Sequence, residues 1–233
     1  NSPICDGQTL TLSCTQNAGS PSFNWTGPNS YNGTNATENI ASTITSGGTY
    51  TISVTDLVTG CVGTATTSAM IMPLPTVTAN GATTCAGVAV IVSATGAVSY
   101  LWNTGGTASF INVTQFLTST YTVTGTDANG CSSNATAIVT VNANPVVTCG
   151  DPSVCFGSSI TLNGAGAVTY SWTGGVMDGT PFSPTVSQNY VVTGTDANGC
   201  TGTDTATVIV FPLPTITSNN ATICQGQSEN LDP

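Results

Sequence analysis

Nine cysteines carry most of the reactive chemistry in this sequence. They are Cys5, Cys14, Cys61, Cys85, Cys131, Cys149, Cys155, Cys200 and Cys224. None is spaced as Cys-x-x-Cys and the chain has no histidine, so the ligand set of a structural zinc site is missing. Cysteines at recurring positions in a Thr-rich chain point instead to disulfides and an oxidising compartment. Of the ten acidic residues, Asp56, Asp127 and Asp196 are one turn position used three times, which marks them as structural. Asp6, Glu38, Asp151, Asp178 and Asp204 have no repeated partner at the spacing of a catalytic carboxylate pair. The chain is therefore read as non-enzymatic, with no catalytic residue, no cofactor and no dedicated metal site. Asp-Ala-Asn-Gly resembles half of a calcium loop but lacks the rest of the ligand series, so it reads as an Asx-type turn. Weak calcium bridging at domain junctions is a further expectation, because oxygen ligands abound and no cation competes.

The chain has no Lys, no Arg and a net charge of −10. Nucleic-acid binding needs cations to neutralise phosphates, so no nucleic-acid partner is expected. Electrostatic attraction to an anionic membrane fails for the same reason. No apolar run is long enough to span a bilayer as a helix, so no direct membrane insertion is expected. Side-chain ion pairs are impossible, and trypsin has nothing to cut even in the denatured, reduced chain; pepsin or elastase should cut it.

These residues are placed by a repeat. Three segments share one order of landmarks: Cys5, Trp25, Tyr50, Cys61; then Cys85, Trp102, Tyr121, Cys131; then Cys155, Trp172, Tyr190, Cys200. A fourth opens at Cys224. The distances from Cys61 to Pro75, Cys131 to Pro145 and Cys200 to Pro214 are equal, and so are those from each proline to the next cysteine. Length varies only inside the repeats, where the first carries extra residues between Thr26 and Glu38. The implied domains are 1–72, incomplete at its N-terminus, 73–142, 143–211, and the start of a fourth over 212–233. A chain that opens inside a repeat reads as a segment of something longer.

The local pattern is β throughout. Val88-Ala-Val-Ile-Val, Tyr121-Thr-Val-Thr and Tyr190-Val-Val-Thr alternate as strands do. Asp127-Ala-Asn-Gly-Cys131 and Asp196-Ala-Asn-Gly-Cys200 read as hairpin turns, with Asn-Gly supplying the positive φ angles. The second repeat divides into strands A near 76–80, B 88–94, C 98–103, E 108–113, F 119–126 and G 133–141. About seven short strands per repeat is the count of a Greek-key sandwich, with the Trp mid-strand C and the Tyr opening strand F as a tyrosine corner. The expected fold is all-β: tandem immunoglobulin-like Greek-key β-sandwiches in an elongated array. The usual B–F disulfide is absent, because Ile52, Val123 and Val192 stand at the F position. Cys14 holds the B position of the first repeat without a partner. The linkers Met72-Pro-Leu-Pro75, Ala143-Asn-Pro145 and Phe211-Pro-Leu-Pro214 are proline-stiffened, which predicts a rod.

Greek-key topology also constrains the disulfides. The first cysteine of a repeat precedes strand B, at one pole. The second follows the F–G turn, at the other. Strand F separates those poles by ~20 Å, whereas a disulfide needs Cα atoms within about 7 Å. Pairing inside each repeat (Cys5–Cys61, Cys85–Cys131, Cys155–Cys200) is thus disfavoured. In an end-to-end array, the first cysteine of one domain faces the second of the next. The expected bonds are Cys5–Cys131 and Cys85–Cys200, with Cys61, Cys155 and Cys224 pairing to domains outside the segment. Cys14 and Cys149 lack repeat partners and are left as free thiols, local partners or links between chains.

Ile-Cys-x-Gly-Gln before an alternating strand, then a Tyr-x-Trp or close to it, then Tyr-Thr-Val-Thr-Gly-Thr-Asp-Ala-Asn-Gly-Cys and a Pro-Leu-Pro linker together resemble the Ig-like and PKD-like repeats of Bacteroidota surface proteins. Such repeats occur in long secreted adhesins of the gliding-motility and type IX-secreted kind. The resemblance implies an extracellular, cell-surface location and a structural or adhesive role. It also implies Thr205, in Asp204-Thr205-Ala206, as an O-glycan acceptor. N-glycosylation sequons stand at Asn24, Asn32, Asn35, Asn112, Asn134 and Asn220. Tyr31 and Phe182, in variable loops, are the aromatics free to meet sugar. Two functions follow: a stiff stalk or filament whose partners are neighbouring domains or copies of itself, or a module binding glycan or a host protein through its loops.

Overall fold

The computed structural model describes residues 3–217 and 224–227. It divides into two compact units, Asn1–Val141 and Asn142–Pro233.

The first unit holds two sandwiches. One comprises β1 (Ile4–Cys5), β2 (Thr9–Ser13), β3 (Pro21–Gly27), β4 (Tyr31–Gly33), β5 (Thr37–Ala41), β6 (Gly48–Asp56), β7 (Val62–Ala69) and β8 (Ile71–Met72). Its main sheet runs β4-β3-β6-β7, faced by the pair β2-β5 and flanked by β1-β8. The other comprises β9 (Thr78–Asn80), β10 (Ala82–Cys85), β11 (Ala89–Thr95), β12 (Ser99–Trp102), β13 (Phe110–Thr114), β14 (Ser119–Thr126) and β15 (Ser132–Asn142). Its sheets run β10-β15-β14-β12 and β13-β11-β9. In immunoglobulin terms these are A′GFC and EBA.

The second unit repeats the plan with β16 (Ser153–Cys155), β17 (Ile160–Thr161), β18 (Thr169–Trp172), β19 (Pro181–Phe182), β20 (Gln188–Thr195) and β21 (Thr201–Phe211). The sheet β16-β21-β20-β18 faces the short pair β17-β19. Strand B is short here because Gly164 and Gly166 follow Leu162, and glycine weakens a strand.

Period-two alternation places each core. Tyr121 and Val123 point inward from β14, and Tyr190 and Val192 from β20. Leu10 and Leu12 on β2, Val92 and Ala94 on β11, and Leu162 just past β17 are the buried B-side residues of their three clusters, which also hold Ile52, Val123 and Val192 respectively. An apolar B–F pair thus stands where antibody domains carry a disulfide. Cys14 lies one residue past β2, half-buried against the first cluster rather than at the centre of strand B.

Several expectations need correction. The strand Ala82–Cys85 was not foreseen, nor its counterparts β1 and β16. These A′ strands leave strand A's sheet and pair with strand G, in parallel where β1 meets β8 and β16 meets β21. They are two to four residues long, too short for a periodic signal. Strand A of the second repeat is Thr78–Asn80, shorter than 76–80, and strand E begins at Phe110 rather than 108. Trp102 and Trp172 end their C strands; only Trp25 is mid-strand. The extra residues of the first repeat form an added strand, β4, beside β3.

Candidate functional site

The chemistry concentrates at two poles of each sandwich, where the repeated cysteines stand. At the F–G pole, the Asp127 carboxylate accepts the N–H of Asn129 at 2.8 Å and of Cys131 at 2.9 Å. Asp196 does the same for Asn198 and Cys200, both at 2.8 Å. Gly130 donates to the Asp127 carbonyl, and Asp127 donates to the Cys131 carbonyl. Only the glycine takes positive φ, +82° at Gly130 and +81° at Gly199. The expectation that Asn shares this conformation is corrected: the loop is a three-residue hairpin with glycine at the left-handed position, not a two-residue turn. In the first sandwich, Asp56 holds Val58 and the extra residue brings Thr59 Oγ1 to the Cys61 N–H. In the second and third repeats the aspartate thus fixes the cysteine that precedes strand G, and in the first Thr59 does so.

At the opposite pole, each A′ strand presents the other cysteine. Cys5 pairs with Met72 and Cys155 with Phe211 in the same parallel register. The next residue closes each ladder alike: Asp6 N–H to Met72 carbonyl and Phe156 N–H to Phe211 carbonyl, both 2.8 Å.

Cys5 is bonded to Cys131, 126 residues away, with Cα atoms 5.5 Å apart. The bond joins the A′ end of the first sandwich to the F–G turn of the second; it does not close on Cys61. Cys85 and Cys200 are each in the disulfide form. Cys61, Cys155 and Cys224 are exposed thiols, and Cys14 and Cys149 half-buried ones.

Cys149 has a local partner that sequence reasoning missed. Its thiol donates to Asp204 Oδ2 at 3.3 Å, and its N–H reaches the same oxygen at 2.8 Å. Burial, then the Asp204 carboxylate, pushes the thiol up to about 11. The Asp204 carboxyl is held below its ordinary value, first by the Thr205 N–H and then by Cys149. The Val58 N–H does the same for Asp56, and the Asn35 N–H for Glu38. The Cys149–Asp204 contact joins residues 55 apart in sequence and leaves no local signature.

Each tryptophan indole is satisfied by the loop that follows it. Trp25 donates to the Asn35 carbonyl and Trp102 to the Ala108 carbonyl, both at 3.0 Å, and Trp172 to Asp178 at 2.9 Å. Tyr50 OH donates to the Ser46 carbonyl at 2.8 Å, a tyrosine corner. Tyr121 OH accepts from Gln115 instead. The two aromatics expected in loops stand instead in short strands, Tyr31 in β4 and Phe182 in β19, and are taken up by packing: Tyr31 meets Tyr50 edge-on at 5.7 Å and Phe182 meets Tyr190 at 5.3 Å. Asn24, Asn32, Asn35, Asn112, Asn134 and Thr205 are all exposed. Asn220 lies outside the described residues. No group of three or more His, Cys, Asp or Glu stands together among the described residues.

No protein-family model matches the chain, and no curated protein does. It is similar in structure to an I-band fragment of titin, at 12% identity and TM-score 0.39 over 89% of this chain and 94% of that one. The insect immune protein hemolin aligns at 14% identity and TM-score 0.32, covering 90% and 75%. A Bacteroides ovatus mixed-linkage glucan protein, SGBP-B, in complex with a heptasaccharide aligns at 15% and TM-score 0.26, covering 97% and 69%. The immunoglobulin-like assignment rests on strand order, facing sheets and the tyrosine corner, not on these likenesses.

Proposed function

We propose that the chain is a segment of a non-catalytic extracellular protein, in which immunoglobulin-like sandwiches in series form a stiff stalk or filament at the cell surface. The observation that carries this reading is the Cys5–Cys131 bond, because it ties two separately cored sandwiches at their poles. A binding domain acting alone has no use for such a tie; an array under tension does. The proline-stiffened linkers and the fixed spacing from proline to cysteine support the same reading. The resemblance to Bacteroidota adhesin repeats points to the compartment, and disulfides suit it. Recognition of glycan through Tyr31 and Phe182 is less favoured, since they are spent on Tyr50 and Tyr190.

Repeat equivalence extends the bond to Cys85–Cys200. Peptide mapping after elastase digestion should recover those two cysteines in one linked species; a Cys155–Cys200 species in its place overturns the pairing rule. Small-angle scattering should show an elongated particle with a narrow size distribution. A compact or broadly flexible profile overturns the stalk. A glycan array run on the same material should be blank, and saturable binding of one glycan class would restore the competing reading.

A further inference from the structure

A covalent bond between distant residues offers tension a second path. The path from Cys5 along the chain to Cys131 runs over 126 residues, whereas the disulfide spans a Cα–Cα distance of 5.5 Å. A pull applied ahead of Cys5 and behind Cys131 is therefore carried by the shorter route. Cys5 ends β1, and Cys131 stands one residue before β15 opens at Ser132. Everything from β2 to β14 lies in the bypassed loop. That loop holds Trp25, Tyr50, Trp102 and Tyr121, the large buried residues of the first two cores.

Behind the bond, the load enters β15. This strand is 11 residues long, Ser132–Asn142. A strand rises about 3.4 Å per residue, close to the ~3.6 Å at which a chain is fully drawn out. It therefore has almost no length to yield. Both of its ends lie on the load path, so β15 is stretched along its own axis rather than peeled from its neighbours β14 and β10. Ala137 and Val139 hold it in the second core. The anchor points are fixed as well: the Asp127 carboxylate accepts the Cys131 N–H at 2.9 Å, and Cys5 stands in the ladder with Met72.

We infer that the Cys5–Cys131 bond is a redox-sensitive load bypass, which carries tension past the first two sandwiches and keeps their cores folded until it is reduced. The inference rests on the stalk reading and gives the stalk its resistance to extension. Release is by thiol–disulfide exchange with a small thiol. One small thiolate attacks a sulfur of the bond and frees one protein thiolate. A second small thiolate then attacks the mixed disulfide and frees the other. One protein disulfide is reduced, two small thiols become one small disulfide, and no other reactant is needed. The freed loop of 126 residues then joins the load path, and drawing it out adds ~440 Å at about 3.5 Å per residue.

The test is force spectroscopy on the full chain held by its two termini, with Cys85→Ser and Cys200→Ser so that one bond alone is read. The third sandwich lies outside the loop and serves as the internal control, since it should unfold in both redox states. The oxidised chain should lengthen by that sandwich alone. Adding a small-molecule thiol at the same force should add ~440 Å. Cys131→Ser should give the long extension with no reductant present. An oxidised chain that lengthens as far as the reduced one overturns the inference. So does a redox difference that matches a Cys5–Cys61 loop. A reduced chain that stays as short as the oxidised one, at forces that unfold the third sandwich, overturns it too. The stalk reading is decided separately by scattering. A compact profile removes it even where the redox-dependent lengthening is found, and an elongated profile keeps it where that lengthening is absent.

Discussion

Single residues in this chain are defined by what their polar atoms meet. The Cys149 thiol faces the Asp204 carboxylate, so its thiolate is disfavoured by burial and by like charge. Its alkylation should set in only as pH rises towards about 11. Mass-spectrometric labelling against pH reads this directly, and Asp204→Asn should bring the Cys149 profile down. At the acid end, Asp204, Asp56 and Glu38 all have depressed folded values, each chiefly through a backbone N–H. The unfolded chain then takes up protons first as pH falls. Their stabilisation is complete above the ordinary carboxylate range and is lost as pH drops through the lower folded values. The urea midpoint should therefore fall on acidification, and Asp204→Asn should flatten that profile. The tyrosine corner allows a sharper measurement. Tyr50→Phe strands the Ser46 carbonyl and should cost the first sandwich about 1–3 kcal/mol, seen in its hydrogen exchange.

At the scale of elements, the turns discriminate between two kinds of glycine. Gly96 has φ +94°, and a Cβ there would lie 1.9 Å from the Thr76 carbonyl oxygen, where the incoming linker crosses the turn between β11 and β12. Gly166 repeats this against the Val146 carbonyl at 1.9 Å. Gly130 has φ +82° with nothing within 4 Å of the added carbon. Gly130→Ala should therefore cost about 1 kcal/mol, for the left-handed backbone alone. Gly96→Ala should cost several times as much, because a backbone oxygen cannot swing aside as a side chain does. Chemical denaturation of the two variants separates strain from collision. The same turns are clasped by Tyr100 and Tyr170, each of whose hydroxyls bonds both the N–H and the carbonyl of an alanine, Ala97 and Ala167. These tyrosines sit in strand C two residues before Trp102 and Trp172, the Tyr-x-Trp of the repeat signature, with Phe23 at the same place in the first repeat.

For the whole molecule, the Cys5–Cys131 bond closes a loop spanning 126 residues. In the chain-entropy model this contributes on the order of 5 kcal/mol by restricting the unfolded ensemble. Cys5→Ser should lower the unfolding midpoint of the oxidised chain and leave that of the reduced chain nearly unchanged. Equal losses in both states would show that the side chain acts by packing, not by crosslinking. What the sequence alone determined is the fold class, because alternation, hairpin turns and a fixed order of Trp, Tyr and Cys are local properties that recur in every repeat. It also separated the cysteines by pole, since strand length and Greek-key order set which ends can be near. Only the tertiary structure showed the short A′ strands beside strand G, the Cys149–Asp204 contact and the packing of Tyr31 and Phe182 onto core tyrosines. The strand pairings and the Cys149–Asp204 contact join residues far apart in the chain through a few atoms, and the aromatic packing depends on which way side chains turn, so none of them leaves a period for a sequence to display.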